Sequence, residues 1–225
     1  MKRRDLAVAL LGAPLLWNAP ALAQVADAVE NGGADESFAR DAETRAKARR
    51  LIDGAIEYLR ARQNPDTGGW SENPDGPSYP AITGLILDGM LLDPRIDASD
   101  PAVAAGVRNI LSSAKPDGGI HDGLLPTYNT AICLSALSRV HRPEAAAAVR
   151  DGQAFLKTLQ YSATGGGEAG GEPVAEDHPY YGGVGYGRHG RPDLSNLGFF
   201  LQALHDTGLS TDPRVPHGGK FVKTQ

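Results

Sequence analysis

Residues 101–137 read PAVAAGVRNILSSAKPDGGIHDGLLPTYNTAICLSAL. In the first part Val103, Gly106, Val107, Ile110 and Leu111 recur at helical spacing along one side, the mark of a one-sided amphipathic helix. Asp100-Pro101 opens it with an N-cap carboxylate and a proline at the first helical position, where a missing N–H costs nothing. Gly118-Gly119-Ile120 interrupts the pattern. Beyond it, Thr130-Ala131-Ile132-Cys133-Leu134-Ser135-Ala136-Leu137 is apolar around most of its circumference, as a helix buried on several sides has to be. The stretch predicts a hairpin made of an amphipathic outer helix, a Gly-Gly turn and a buried inner helix.

The same unit occurs on either side. Gly68-Gly69-Trp70 and Gly182-Gly183-Val184 are the matching turns. The outer helices before them carry Leu51, Ala55, Tyr58 and Leu59 in the first unit, and Val149, Gly152, Leu156 and Leu159 in the third, which opens at Arg142-Pro143 with the proline alone. The inner helices after them, Thr83 to Met90 and Leu197 to Leu204, share the order small, apolar, any, Leu, polar, small, large apolar. From the second Gly of each turn to the first residue of the aligned block the distance is 14, 11 and 14 residues. The third unit is lengthened by a Gly- and Glu-rich insertion, Ser162 to Asp177, which reads as a mobile loop or a lid. After the third inner helix, Phe221-Val222-Lys223-Thr224-Gln225 parallels Phe155 to Gln160, and the chain stops where a fourth turn is due. A hairpin repeat stacks only on its neighbours, so the expectation is an all-α, partial array of about three hairpins and a fourth fragment.

Outside the repeat, Lys2-Arg3-Arg4, the apolar run Leu6 to Trp17 and Ala21-Leu22-Ala23 form the three parts of a signal peptide cleaved after Ala23. The run is broken by Gly12 and Pro14 and is too short for a permanent anchor, so no membrane span is expected. Arg3-Arg4 also suits twin-arginine export as an alternative to ordinary secretion. The expected location is periplasmic or extracellular. Residues 1–23 are thus a leader, 24–41 a small, polar and acidic spacer, and 42–225 the repeat domain, expected to be incomplete. Cys133 is the only cysteine, so no disulfide closes within the chain. The leader carries +2 of the net −5, leaving −7 on the remainder, which gives no basic surface for nucleic acid.

Ala55-Ile56-Glu57-Tyr58-Leu59, Gln63 and Gly68-Gly69-Trp70 resemble the Gln-Trp repeat of squalene and oxidosqualene cyclases. Gly182-Gly183-Val184-Gly185-Tyr186-Gly187-Arg188 through Asp193 is similar to the Gly-Gly-Phe repeat of protein prenyltransferase β subunits. The resemblance covers roughly residues 42–225 and implies an α/α toroid, inner helices ringing an apolar cavity. It also implies chemistry for which this chain lacks the parts. No Asp-x-Asp-Asp acid of the cyclase kind is present, and Asp93, Asp97 and Asp100 have the wrong spacing. Where the prenyltransferase zinc site has Asp-x-Cys, Asp193 matches but Ser195 replaces the thiolate, which a hydroxyl cannot do. Neither a metal nor a cofactor is implied.

In such a toroid the turns before inner helices edge the cavity mouth. His121, Asp122, Tyr128, Asn129, Tyr186, Arg188, His189, Asp193 and Asn196 therefore form the candidate ligand-binding set, with solvated loop polarity as the alternative. Asp193 equally suits an N-cap. His121-Asp122 reads either as an acid/base pair or as turn residues beside Gly123. His178, His189 and His205 lack ligand spacing, Cys133 sits at a packing position, and Tyr180 to Gly187 follows no strand, which removes a dinucleotide or phosphate loop. The leading reading is an exported repeat protein binding an apolar, isoprenoid-like ligand or a protein partner, with self-association as one form of partnering. The alternatives are an isoprenoid cyclase or transferase whose catalytic half lies elsewhere, and a secreted polysaccharide lyase, for which Trp70, Tyr79 and Arg188 would supply platform and base.

Overall fold

The computed structural model describes residues 34–73, 75–168, 171–187 and 191–209, with side chains from residue 41 onward. Among the described residues there are six helices and no strand: α1 Ala34–Ala61, α2 Pro80–Met90, α3 Pro101–Ser112, α4 Pro126–Ser138, α5 Pro143–Leu159 and α6 Leu194–Asp206. The chain is all-α. The leader reading and the fourth-fragment reading lie outside the described residues.

The chain divides into two compact units inside α1, between Ala55 and Ile56. In the first, α1 begins at Ala34, within the stretch read as a spacer. The small, acidic composition of Ala34-Asp35-Glu36 suits a helix start as well as a linker, since alanine is the best helix former and acids are favoured at an N-terminus. The helix surface there is solvated, with Arg45–Asp41 and Lys47–Glu43 pairs one turn apart.

In the second unit α4 lies between α2 and α6, so the inner helices form one row, while α3 packs on α2 and α5 on α4 from behind. The core runs through this two-layer stack and includes Leu87, Ile110, Leu134, Leu156 and Phe200. The three hairpins close alike. Each turn is closed by a matching pair of backbone bonds, Asn64 N–H to Gly69 O (2.9 Å) with Gly68 N–H to Asn64 O (2.8 Å), Lys115 N–H to Gly119 O (2.8 Å) with Gly118 N–H to Lys115 O (3.0 Å), and Tyr161 N–H to Gly183 O (3.0 Å) with Gly182 N–H to Tyr161 O (2.8 Å). The first glycine of each turn takes a positive φ, 72° at Gly68, 92° at Gly118 and 83° at Gly182, which an L side chain rarely adopts. After the turn, Trp70 N–H donates to Thr83 Oγ1 (3.2 Å) and Ile120 N–H to Thr130 Oγ1 (3.0 Å). Leu197 occupies the corresponding place in α6.

Stacking between hairpins also follows one rule. Leu87 of α2 fills the space beside Gly106 of α3, where an added Cβ would lie 3.0 Å from Leu87 Cδ2. Leu134 of α4 does the same at Gly152 of α5, at 2.6 Å. Between inner helices, Ile132 Cγ2 would lie 3.2 Å from a Cβ at Gly84. Small residues therefore set the helix spacing, as the aligned blocks suggested. The N-caps are as read: Asp100 Oδ1 accepts from Ala102 N–H (2.9 Å) and Val103 N–H (3.3 Å), and α5 begins on Pro143 with no side-chain cap.

One helix face differs from its reading. Leu51, Ala55 and Tyr58 were expected to point to the core, yet Leu51 is 75% and Tyr58 54% exposed, while Ile56 is buried at 7%. The matching row of α3, Gly106 and Asn109, is covered because α3 packs on α2. Among the described residues no inner helix precedes α1 to cover its row. Within the insertion Gly165, Gly166 and Gly167 are buried, Ser162 Oγ donates to Gly165 O (2.8 Å) and Val174 N–H to Ser162 O (2.9 Å), while Ala163, Thr164, Glu168, Glu172 and Asp177 are exposed. Glycines let the start of this segment fold closely on itself.

Candidate binding site

The first turns of α4 and α6 bring together part of the expected set. Tyr186 is carried there by the segment after the third turn: Thr127 N–H donates to Tyr186 O (3.4 Å), and Gly187, with φ 92°, lies so close that a Cβ would be 3.0 Å from Thr127 Oγ1. The Tyr186 ring stacks on Tyr128 with centroids 6.0 Å apart, and Tyr128 lies 4.9 Å from the Phe199 ring of α6. The Tyr128 hydroxyl is hydrogen-bonded to Ser195 Oγ. Tyr186 is 44% exposed, and Leu125 (48%) and Leu194 (56%) flank the same first turns, so an aromatic and aliphatic patch faces solvent. Large apolar groups exposed together on a folded surface mark candidate interaction sites.

Beneath the patch two polar atoms are buried without a hydrogen-bond partner, Thr127 Oγ1 and Asn196 Oδ1. Such atoms are uncommon, because each forgoes a bond it would make in water. Leu125, the N-cap of α4, has φ 40° and ψ 58°, a left-handed conformation that costs a branched side chain energy and that clusters at functional sites.

The remaining expected residues have other partners. Asp193 caps α6, Oδ1 accepting from Asn196 N–H (2.9 Å) and Oδ2 from Asn196 Nδ2 (2.6 Å). Asn129 stitches two hairpins: its Nδ2 donates to Leu124 O (2.9 Å) and its Oδ1 accepts from Ala81 N–H (3.1 Å) at the start of α2. His121 is 9% exposed, its ring 5.8 Å from that of Phe155, and its Nδ1 accepts from Gly123 N–H (3.0 Å), the geometry of a turn residue. Asp122 is exposed. Arg188 and His189 lie outside the described residues. Trp70, one platform considered for a lyase, is 2% exposed with its indole N–H on Leu59 O (2.7 Å), a core residue. Phe199, Ser195 and Leu125 were missed. The sequence signal for Phe199 was its place in an inner helix, which reads as core; only the neighbouring Tyr128 and Tyr186 reveal the patch.

Burial pushes the Cys133 thiol well above its ordinary range, with the Asp122 carboxylate adding to the effect. Burial likewise raises the Tyr161 hydroxyl, helped by Tyr180 and Glu168. An open cleft of about 570 Å³ lies among Leu137, Val149, Arg142, Arg150 and Asp206, away from every expected site residue. Its arginines already donate to carbonyls, Arg142 to Ala98 O and Arg150 to Ala146 O, and its charges are of mixed sign. Among the described residues no helix is long and apolar enough to cross a membrane. No family model and no curated protein sequence matches this chain.

Proposed function

We propose that this protein is an exported binding module of the α/α-toroid type that takes an apolar, isoprenoid-like ligand on the Tyr128, Tyr186 and Phe199 patch. The observation that carries the reading is the aromatic cluster of exposed Tyr186 on half-buried Tyr128 and Phe199, with unpartnered Thr127 Oγ1 and Asn196 Oδ1 in the same first turns of α4 and α6. Rings of this kind offer a flat apolar surface to a prenyl chain, and a hydroxyl at the chain's end would suit a buried donor and acceptor. Inner and outer helices alternating in two layers support a toroidal arc.

The test is calorimetric titration of the protein with farnesol. Saturable binding that weakens about tenfold in Tyr186→Ala, close to the worth of one aromatic contact, is the expected result. Absence of saturable binding, or binding that ignores Tyr186→Ala, would refute the proposal. Export is tested separately, by expression in a bacterial host and sequencing of the mature N-terminus: a start at Gln24 supports the leader reading and a retained Met1 refutes it.

A further inference from the structure

Six Asp-Gly steps occur in the chain, at Asp53, Asp75, Asp88, Asp117, Asp122 and Asp151. At such a step a backbone nitrogen closes most readily on the preceding side-chain carboxyl, because glycine has no Cβ to crowd the five-membered ring that forms. The fold treats the six differently. Gly54, Gly89 and Gly152 lie inside α1, α2 and α5, where the helix holds each N–H on a carbonyl one turn back. Gly76 N–H donates to Asn73 O (2.9 Å) and Gly118 N–H to Lys115 O (3.0 Å). At Asp117 the carboxylate is engaged as well, accepting from Gly119 N–H (3.0 Å). A carbonyl oxygen holds an amide hydrogen but is far too weak a base to take it. At the remaining step the acceptor is a base: Gly123 N–H donates to His121 Nδ1 at 3.0 Å.

The imidazole is held in place. His121 is buried, its ring lies 5.8 Å from that of Phe155, and its Cδ2 would be 2.9 Å from a Cβ at Gly119. With Nδ1 as acceptor, the ring hydrogen is on Nε2 and the ring is neutral. Asp122 is exposed, so packing does not fix its carboxyl, and residues 121–125 belong to no helix. An amide N–H points in the peptide plane, whereas the carboxyl carbon approaches the nitrogen from above or below it, so the His121 bond leaves the reacting face open.

We propose that Asp122-Gly123 is a self-modifying site in which His121 is the base. Gly123 N bonds to Asp122 Cγ while its proton passes to His121 Nδ1, within the reach a general base needs. The C–OH bond of the protonated carboxyl breaks, and the hydroxyl takes that proton from the imidazolium and leaves as water. One water then hydrolyses the succinimide at either carbonyl, restoring aspartate or giving isoaspartate, in which the main chain runs through the side-chain carbon. The neutral imidazole is regenerated and no further reactant is consumed. The extra main-chain carbon enters just before Leu124 and Leu125, whose carbonyls accept from Asn129 Nδ2 (2.9 and 3.3 Å), so the start of α4 bears the change.

Peptide mapping by isoaspartate-resolving mass spectrometry, after incubation of the full chain over weeks, tests this. Site resolution is needed because Asn31-Gly32 yields isoaspartate by its own deamidation. In the native wild type isoaspartate is expected to build up at position 122 about tenfold or more faster than at 75 and 117, whereas in urea the three should form it at similar rates. His121→Asn retains an acceptor for the Gly123 N–H, as in an Asx-turn, but no base. It should lower the native rate at 122 by about tenfold and leave 75 and 117 unchanged. Asp122→Glu, which would have to close a six-membered ring, should show no modification there. Native formation at 122 no faster than at the other two positions, or a rate that His121→Asn leaves unchanged or raises, would overturn the proposal. The comparison within the wild type stands whether or not that variant folds.

Discussion

Replacing Gly152 by alanine measures how tightly one hairpin is keyed into the next. Inside a helix the exchange gains about 0.8–1.0 kcal/mol of intrinsic propensity wherever the new methyl group finds space. At Gly152 it does not: the methyl would lie 2.6 Å from Leu134 Cδ2, 3.2 Å from Cδ1 and 3.3 Å from Cγ. Leu134 is 0% exposed and cannot turn outward. Overfilling a packed core costs about 1–3 kcal/mol, so the net expectation is destabilisation by about 1 kcal/mol. Gly198→Ala in α6 is the matched control, because no atom lies within 4 Å of its Cβ and the full propensity gain survives. Subtracting one variant from the other removes propensity and leaves the packing cost, about 1–3 kcal/mol. Urea unfolding followed by far-UV circular dichroism reads each value. In a Leu134→Ala background the obstruction is gone, and Gly152→Ala should then stabilise. Equal stabilisation by Gly152→Ala and Gly198→Ala in the wild-type background would refute the stacking register.

Three further outcomes follow from single contacts. Thr130→Val keeps the shape but leaves the N–H of Ile120, a residue with no exposed surface, without its acceptor; a loss of about 1–3 kcal/mol in urea unfolding is expected, and a neutral result would mean another acceptor takes over. Leu125→Gly releases a left-handed leucine at φ 40°, and after the entropy glycine adds to the unfolded chain it should gain about 0.5–1 kcal/mol, with a loss on the same assay counting against strain there. Cys133, fully buried with its thiol pushed up by desolvation, should react with a disulfide reagent only as fast as the protein unfolds; rapid labelling of the native protein would contradict the packed α4.

The hairpins were legible in the sequence because their determinants are local. A Gly-Gly step with a positive φ recurs in all three hairpins, and a proline opens α2, α3, α4 and α5; each of these signals acts within a few residues. What the sequence could not show is which side of an amphipathic helix meets a neighbour. Leu51 and Tyr58 have the spacing of a core face, but α3 and α5 bury the matching row only because α2 and α4 precede them. Phe199 was illegible for a related reason: an aromatic residue in a buried helix reads as core until the rings beside it are placed.

The candidate site is marked by where the repeat departs from its own pattern. Asn129 and Asn196 stand at the same position, each one residue before the aligned block. Asn129 uses its carbonyl oxygen to hold Ala81 N–H at the start of the preceding inner helix. Asn196 turns its amide nitrogen to Asp193, and its Oδ1 is left unpartnered in the interior, as is Thr127 Oγ1. In the same helix Leu197 replaces the threonine whose hydroxyl receives the turn N–H in the other two hairpins. A stack selected only for stability would have repeated the satisfied arrangement, since each orphaned group forgoes about 1–3 kcal/mol. Local rules are broken together at one place, beside exposed Tyr186 and the half-buried rings of Tyr128 and Phe199, and this departure from the repeat supports the proposed binding role.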